Sequence, residues 1–158
     1  MNKDFLSIAE LTKEEVFELL ILTDSLKVQK DVKPLSGKTV AMIFQKPSLR
    51  TRVSFEVGII QLGGNAIFLT DEAVGLGVRE SAADVANVLS RFNDAIIARV
   101  YDHQLLHDLA QYATVPVINA LSDLSHPCQI LADLYTIRQH NKLRDHFKIA
   151  YVGDGNNV

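Results

Sequence analysis

The chain has 158 residues, 47% of them apolar and 22% charged, and carries a formal net charge of −3, enough for one domain with a sizeable core. The acidic balance (pI about 5.9), with no stretch of basic residues interleaved with aromatics, excludes an ordinary nucleic-acid binder. No apolar run approaches the roughly eighteen residues of a membrane helix. The start, Met1-Asn2-Lys3-Asp4-Phe5, lacks the cationic-then-apolar order of a secretory leader. A single cysteine, Cys128, leaves no internal disulfide and no Cys-x-x-Cys metal or redox pair, so the expected compartment is the cytoplasm.

Thr12-Lys13-Glu14-Glu15 reads as a capping box, and Val16, Leu19, Leu20 and Thr23 follow at helical spacing. The pattern predicts a helix over 13–30, ended by the turn around Pro34 and Gly37. A strand over 38–44 comes next, then a basic turn and a helix over 50–62 that stops at Gly63-Gly64. Residues 65–69 read as a strand, and a loop with Gly75 and Gly77 follows. Helix 80–92 is expected to present Val85, Val88, Leu89 and Phe92 on one face. A strand at 94–100, a helix at 103–113, a strand at 115–119 and a helix at 126–140 complete the alternation. In the last helix Ile130, Leu131, Leu134 and Ile137 point inward. A final strand is expected at 147–152.

Strands separated by helices of this length predict an α/β fold, a parallel sheet with helices on both faces. Ligands of such sheets sit beyond the carboxyl ends of the strands. Four polar clusters follow strand ends: 46–52, Arg99 with Tyr101, 120–129 and 153–157. The last strand opens a glycine turn where a helix should begin. The expected division is therefore a domain over 1–146 and, over 147–158, the first strand and turn of a second domain. The turn Gly153-Asp154-Gly155-Asn156-Asn157 lacks the third glycine of a dinucleotide loop, and no P-loop pattern is present.

The turn Lys46-Pro47-Ser48-Leu49-Arg50-Thr51-Arg52 holds three cations, two hydroxyls and no acid. Placed between a strand and a helix start, it suits an anion: free N–H groups of the first turn point outward and the helix dipole favours negative charge. Arginine adds bidentate donors that match phosphate oxygens. A solvated basic turn that merely caps the helix is the plainer reading. Arg99 either reaches solvent at the sheet edge or serves that ligand edge. His126-Pro127-Cys128-Gln129 opens a helix, with Ser125 as expected N-cap and Pro127 at a permitted first-turn position. There His126 and Gln129 are either structural or functional, and the Cys128 thiol reads as packing rather than nucleophile. His103, His107, His140 and His146 lack ligand spacing.

Taken in order, these motifs resemble the aspartate/ornithine carbamoyltransferase family. The signatures are Ser48-Leu49-Arg50-Thr51-Arg52 after a strand, Leu76-Gly77-Val78-Arg79-Glu80-Ser81, Arg99-Val100-Tyr101, Leu121-Ser122-Asp123-Leu124, and His126-Pro127-Cys128-Gln129-Ile130-Leu131-Ala132-Asp133. The Cys128 context, the run from Phe55-Glu56-Val57-Gly58 to Gln61-Leu62-Gly63-Gly64, and the final Gly-Asp-Gly-Asn-Asn are similar to the ornithine branch.

The resemblance implies transfer of the carbamoyl group from carbamoyl phosphate to the side-chain amine of L-ornithine, giving L-citrulline and phosphate. This chain would supply the carbamoyl phosphate half-site and turn over negligibly alone. It implies that Ser48, the Leu49 backbone N–H, Arg50 and Thr51 hold the phosphate. Arg99, His126 and Thr51 would polarise the carbonyl oxygen, and Gln129 would accept from the carbamoyl NH₂. Pro127 and Cys128 complete that binding segment, Arg52 orients the loop, and Asn157 contacts ornithine. It implies no metal, no organic cofactor, no nucleic acid or membrane partner, and a homotrimer or multiple of trimers. Two departures stand out: Leu49 replaces the family's threonine, and the polar side chain that a neighbouring subunit lends falls here at or near Gly75. The competing readings are another acceptor amine (aspartate, putrescine or an acylated ornithine) and a non-catalytic anion-binding or assembly module.

Overall fold

The computed structural model describes residues 4–29, 31–144 and 146–153. In chain order it runs α1 (Lys13–Val28), β1 (Thr39–Phe44), α2 (Leu49–Gln61), β2 (Asn65–Thr70), α3 (Asp71–Val74), α4 (Ala82–Phe92), β3 (Ala95–Arg99), α5 (Gln104–Tyr112), β4 (Val117–Leu121) and α6 (Pro127–Gln139), with a 3₁₀ turn at Ile8–Glu10 before them. The sheet is parallel throughout, in the order β2-β1-β3-β4. Among the described residues no helix is long and apolar enough to cross a membrane.

The two central strands are apolar at nearly every position because both of their faces are covered. Alternation along them divides the core in two. Ile43, Ile96 and Ala98 face Val85 and Ala86 of α4 and Leu106 and Leu109 of α5. Val40, Met42, Phe44 and Ile97 face the other way, towards Phe55 and Ile59 of α2. Helix starts are capped as their sequences require: Thr12 and Glu15 form a reciprocal box, and Ser48, Thr70 and Ser81 each accept from the backbone three residues on.

Four expectations are corrected. The inward stripe of α4 is Ala82, Val85, Ala86 and Leu89, whereas Val88 and Phe92 stand exposed. The small Ala82 and Ala86 let the helix lie close to the sheet, and that turns the larger residues outward. The loop after β2 contains the short helix α3. Ser125 is not the N-cap of α6: His126 occupies that place with no side-chain capping bond. The Ser125 hydroxyl and carbonyl instead accept from Asn119 Nδ2. Finally, 147–152 forms no strand, and Ile149, Tyr151 and Val152 are exposed. A parallel strand needs a neighbour to pair with, and the β4 edge is already taken by Phe5, which bridges to Ile118.

Candidate anion site at the carboxyl edge of the sheet

The strand order makes this edge asymmetric. From β1 the chain turns into α2 on one face of the sheet, while from the adjacent β3 it turns into α5 on the opposite face. The two loops diverge and leave a crevice between the carboxyl ends of β1 and β3, the place where α/β sheets take their ligands. Gln45 ties the crevice together. Its N–H donates to Arg99 O at 2.8 Å, its Nε2 to Leu76 O at 3.1 Å, and its Oε1 accepts from Tyr101 N at 3.1 Å. Lys46 lies 4.4 Å above the Tyr101 ring and closes the same pair of loops from outside.

The start of α2 forms one wall. Ser48 Oγ accepts from Thr51 N at 3.4 Å, and the first helical turn leaves the N–H groups of Leu49 and Arg50 without helical acceptors. Arg50 and Leu49 are exposed there, Leu49 to 79%. Arg52 is engaged on the β2 side of the same turn. Its Nε donates to Glu56 Oε2 at 3.1 Å and its guanidinium lies 3.6 Å from the Phe68 ring centre, so it fastens α2 against β2.

Arg99, the last residue of β3, and His126, the N-cap of α6, lie close to this turn. Arg99 Nη1 donates to Thr51 Oγ1 at 3.3 Å, while its Nε is buried without a protein partner among the described residues. His126 Nδ1 is in the same condition. Burial first, and the nearby Arg99 charge second, hold the His126 ring below its ordinary value of 6.5, which keeps it neutral near pH 7; Asp133 opposes the shift. Burial also holds Arg99 below the usual guanidinium range. Both nitrogens are thus buried polar atoms without a partner among the described residues, on side chains close enough for the Arg99 charge to act on the His126 ring.

The remaining predicted residues divide. Gln129 lies one turn into α6, and its Nε2 donates to Asp133 Oδ1 at 2.9 Å, which directs its amide oxygen elsewhere as an acceptor. Pro127 is buried as the first residue of the helix. Cys128 remains half-buried as a residue, but its sulfur turns inward, donating to Asn119 O at 3.4 Å, and burial pushes the thiol up to about 12. The sulfur is thus packed inward and protonated, not set out as a nucleophile. Asn157 lies outside the described residues. Gly75 is left-handed (φ 68), and a Cβ there would meet Arg79 Cβ at 2.8 Å, so this position offers backbone only. Gln45 escaped sequence reasoning: a single glutamine after a strand has no periodicity or motif of its own.

A parallel α/β sheet whose strand order reverses between β1 and β3, with a helix start and an arginine at that reversal, defines a class, the open α/β domains whose ligand edge lies at such a switch point. The chain belongs to the aspartate/ornithine carbamoyltransferase family, matching its carbamoyl-P binding domain over residues 3–139. It is 50% identical over 164 residues to an ornithine carbamoyltransferase of Chlorobaculum tepidum, covering 99% of this chain and 48% of that protein. An anabolic ornithine carbamoyltransferase of Pyrococcus furiosus is 54% identical over 161 residues, with 99% and 51% covered. The solved structure of an ornithine carbamoyltransferase from Pyrococcus furiosus superposes with a TM-score of 0.91 at 51% identity, covering 99% of this chain and 51% of that one. The chain spans about half the length of the curated relatives it matches.

Proposed function

We propose that this chain forms the carbamoyl phosphate half-site of an ornithine carbamoyltransferase, with residues 1–146 as the binding domain and 147–158 as the opening of a second. The observation that carries this reading is Arg99 Nη1 held on Thr51 Oγ1 at the start of α2, with Arg99 Nε and His126 Nδ1 buried and without a partner among the described residues. The names of the similar proteins support ornithine as the acceptor over aspartate, putrescine or an acylated ornithine.

The chemistry follows from the donors. The acceptor amine attacks the carbamoyl carbon, a C–N bond forms, the C–O bond to phosphate breaks, and the amine gives up a proton. Negative charge grows first on the carbonyl oxygen and then on the leaving phosphate. Arg99, Thr51 and neutral His126 stabilise the first, while Ser48, the Leu49 N–H, Arg50 and Thr51 receive the second. The Gln129 amide oxygen accepts from the carbamoyl NH₂ and orients the group. Nothing in this route requires a protein nucleophile, which agrees with the inward, protonated Cys128.

A cytoplasmic homotrimer belongs to the same proposal. Val78, Val88 and Phe92, large apolar side chains exposed on α4 and the loop before it, support an interface there. Titration calorimetry of the chain with carbamoyl phosphate, alongside Arg50→Ala, tests the half-site. An assay of the complete reading frame with ornithine, aspartate, putrescine and acetylornithine tests the acceptor. Binding lost in Arg50→Ala, with citrulline formed only from ornithine, is the expected result.

A further inference from the structure

The segment that presents His126 is the tight turn at 122–125, and its centre is the hydroxyl of Ser122. This side chain is fully buried. Its Oγ accepts from Leu124 N at 3.3 Å and from Ser125 N at 3.2 Å, while Ser122 N donates to Ser125 O at 3.0 Å. Two N–H donors can fill the lone pairs of a hydroxyl, which leaves it a proton to give. Acceptors within its reach include His103 Nδ1 at 2.7 Å and Ser125 O at 3.4 Å. The 2.7 Å contact is the better hydrogen bond, and it suits a His103 ring whose proton sits on Nε2 with Nδ1 accepting. A proton on Nδ1 would press a third donor against an oxygen with two lone pairs, and the turn would have to open. Asp123 joins the two segments a second time: its Oδ1 accepts from His103 N at 2.9 Å, and its own N–H donates to Tyr101 O at 2.9 Å.

We propose that His103 is a positioning residue for His126: neutral, it anchors the 122–125 turn through Ser122, and protonated, it releases that turn and weakens the grip on carbamoyl phosphate. The groups facing its ring are His107, at 5.0 Å between ring centres on the next turn of α5, Asp102 just before α5, Asp123 from the turn, and Glu10 from the 3₁₀ turn. Burial and His107 disfavour the proton and the three carboxylates favour it, with burial the largest influence and the net direction downward. The neutral ring is therefore the resting state near pH 7, and acid is the trigger.

The test has two arms, of which only the second rests on the proposed substrate. In the first, ¹⁵N-detected titration of the imidazoles in the 158-residue chain reads tautomer and coupling directly. The expected result is an Nε2–H tautomer for His103 at neutral pH and, on acidification, movement of the Leu124 and Ser125 amides along the same curve as the His103 ring. An Nδ1–H tautomer, or amides indifferent to that ring, overturns the proposal. In the second arm, calorimetry with carbamoyl phosphate compares the chain with His103→Asn, whose Oδ1 replaces the acceptor without titrating, and with His103→Leu, which removes it. Between about pH 7.5 and about pH 5.5 the unmodified chain should lose roughly fivefold more affinity than His103→Asn, the factor one hydrogen bond is worth. His103→Leu should be weak at both. Because His126 titrates in all three proteins, equal losses in the unmodified chain and His103→Asn overturn the proposal. If no form binds carbamoyl phosphate while the amides still follow the ring, the substrate reading fails and the His103–Ser122 link stands.

Discussion

Arg99 ends β3 and Thr51 lies in the first turn of α2, 48 positions earlier, yet Nη1 of one is 3.3 Å from Oγ1 of the other. That bond closes the crevice between diverging loops. The same guanidinium keeps its Nε buried and without a partner among the described residues. Replacing Thr51 with Val keeps the shape and removes the acceptor. Carbamoyl phosphate affinity should fall about tenfold or more, the range for a hydrogen bond to a charged group, while the thermal midpoint changes little. Calorimetry and a thermal melt on the same sample check both.

Leu49 occupies the first helical position and is 79% exposed. A threonine there would add a hydroxyl beside the free N–H groups of the turn. Leu49→Thr should therefore bind carbamoyl phosphate roughly fivefold more tightly. Unchanged affinity would mean that the backbone N–H already does all that this position can do.

His126 and His103 both sit below the ordinary imidazole value of 6.5, in each case chiefly through burial. Above that value neither state of the chain holds the extra protons. Below it the unfolded chain takes up protons that the folded one resists, so folding stability falls as pH falls. The loss begins near 6.5 and is complete once the pH passes under the lowered folded values. Urea midpoints between about pH 8 and about pH 5 should decline towards acid. His126→Gln and His103→Asn should each flatten part of the decline.

With its thiol pushed up to about 12, Cys128 holds almost no thiolate at neutral pH. Iodoacetamide should label the folded chain at least about a hundredfold more slowly than the urea-unfolded one. Rapid labelling of folded protein would contradict the inward placement of the sulfur.

Much of this was legible beforehand, for identifiable reasons. The strands of the core are short apolar runs because both faces are covered, and the starts of α1, α2, α3 and α4 carry their capping residues in the local sequence. The basic turn and His126 come after strand ends and Arg99 ends a strand, which is what makes them candidates in the sequence. What escaped depended on partners distant in sequence. Gln45 acts through Leu76 and Tyr101, and His103 acts through Ser122, with no spacing rule to announce either. The stretch at 147–152 has every local property of a strand, but strand formation needs a neighbour, and local sequence cannot supply one.

The N-terminal residues have a consequence for solubility. Asp4 Oδ1 accepts from Val117 N at 2.8 Å, and Phe5 exchanges bonds with β4, its N–H to Val117 O at 2.8 Å and its carbonyl from Asn119 N at 2.9 Å. A few residues at the very start of the chain thus serve as a stopper on one border of the sheet. Bare ladder borders invite strands from other molecules. Trimming that stopper would convert β4 into a template for clumping without touching a single residue of the crevice.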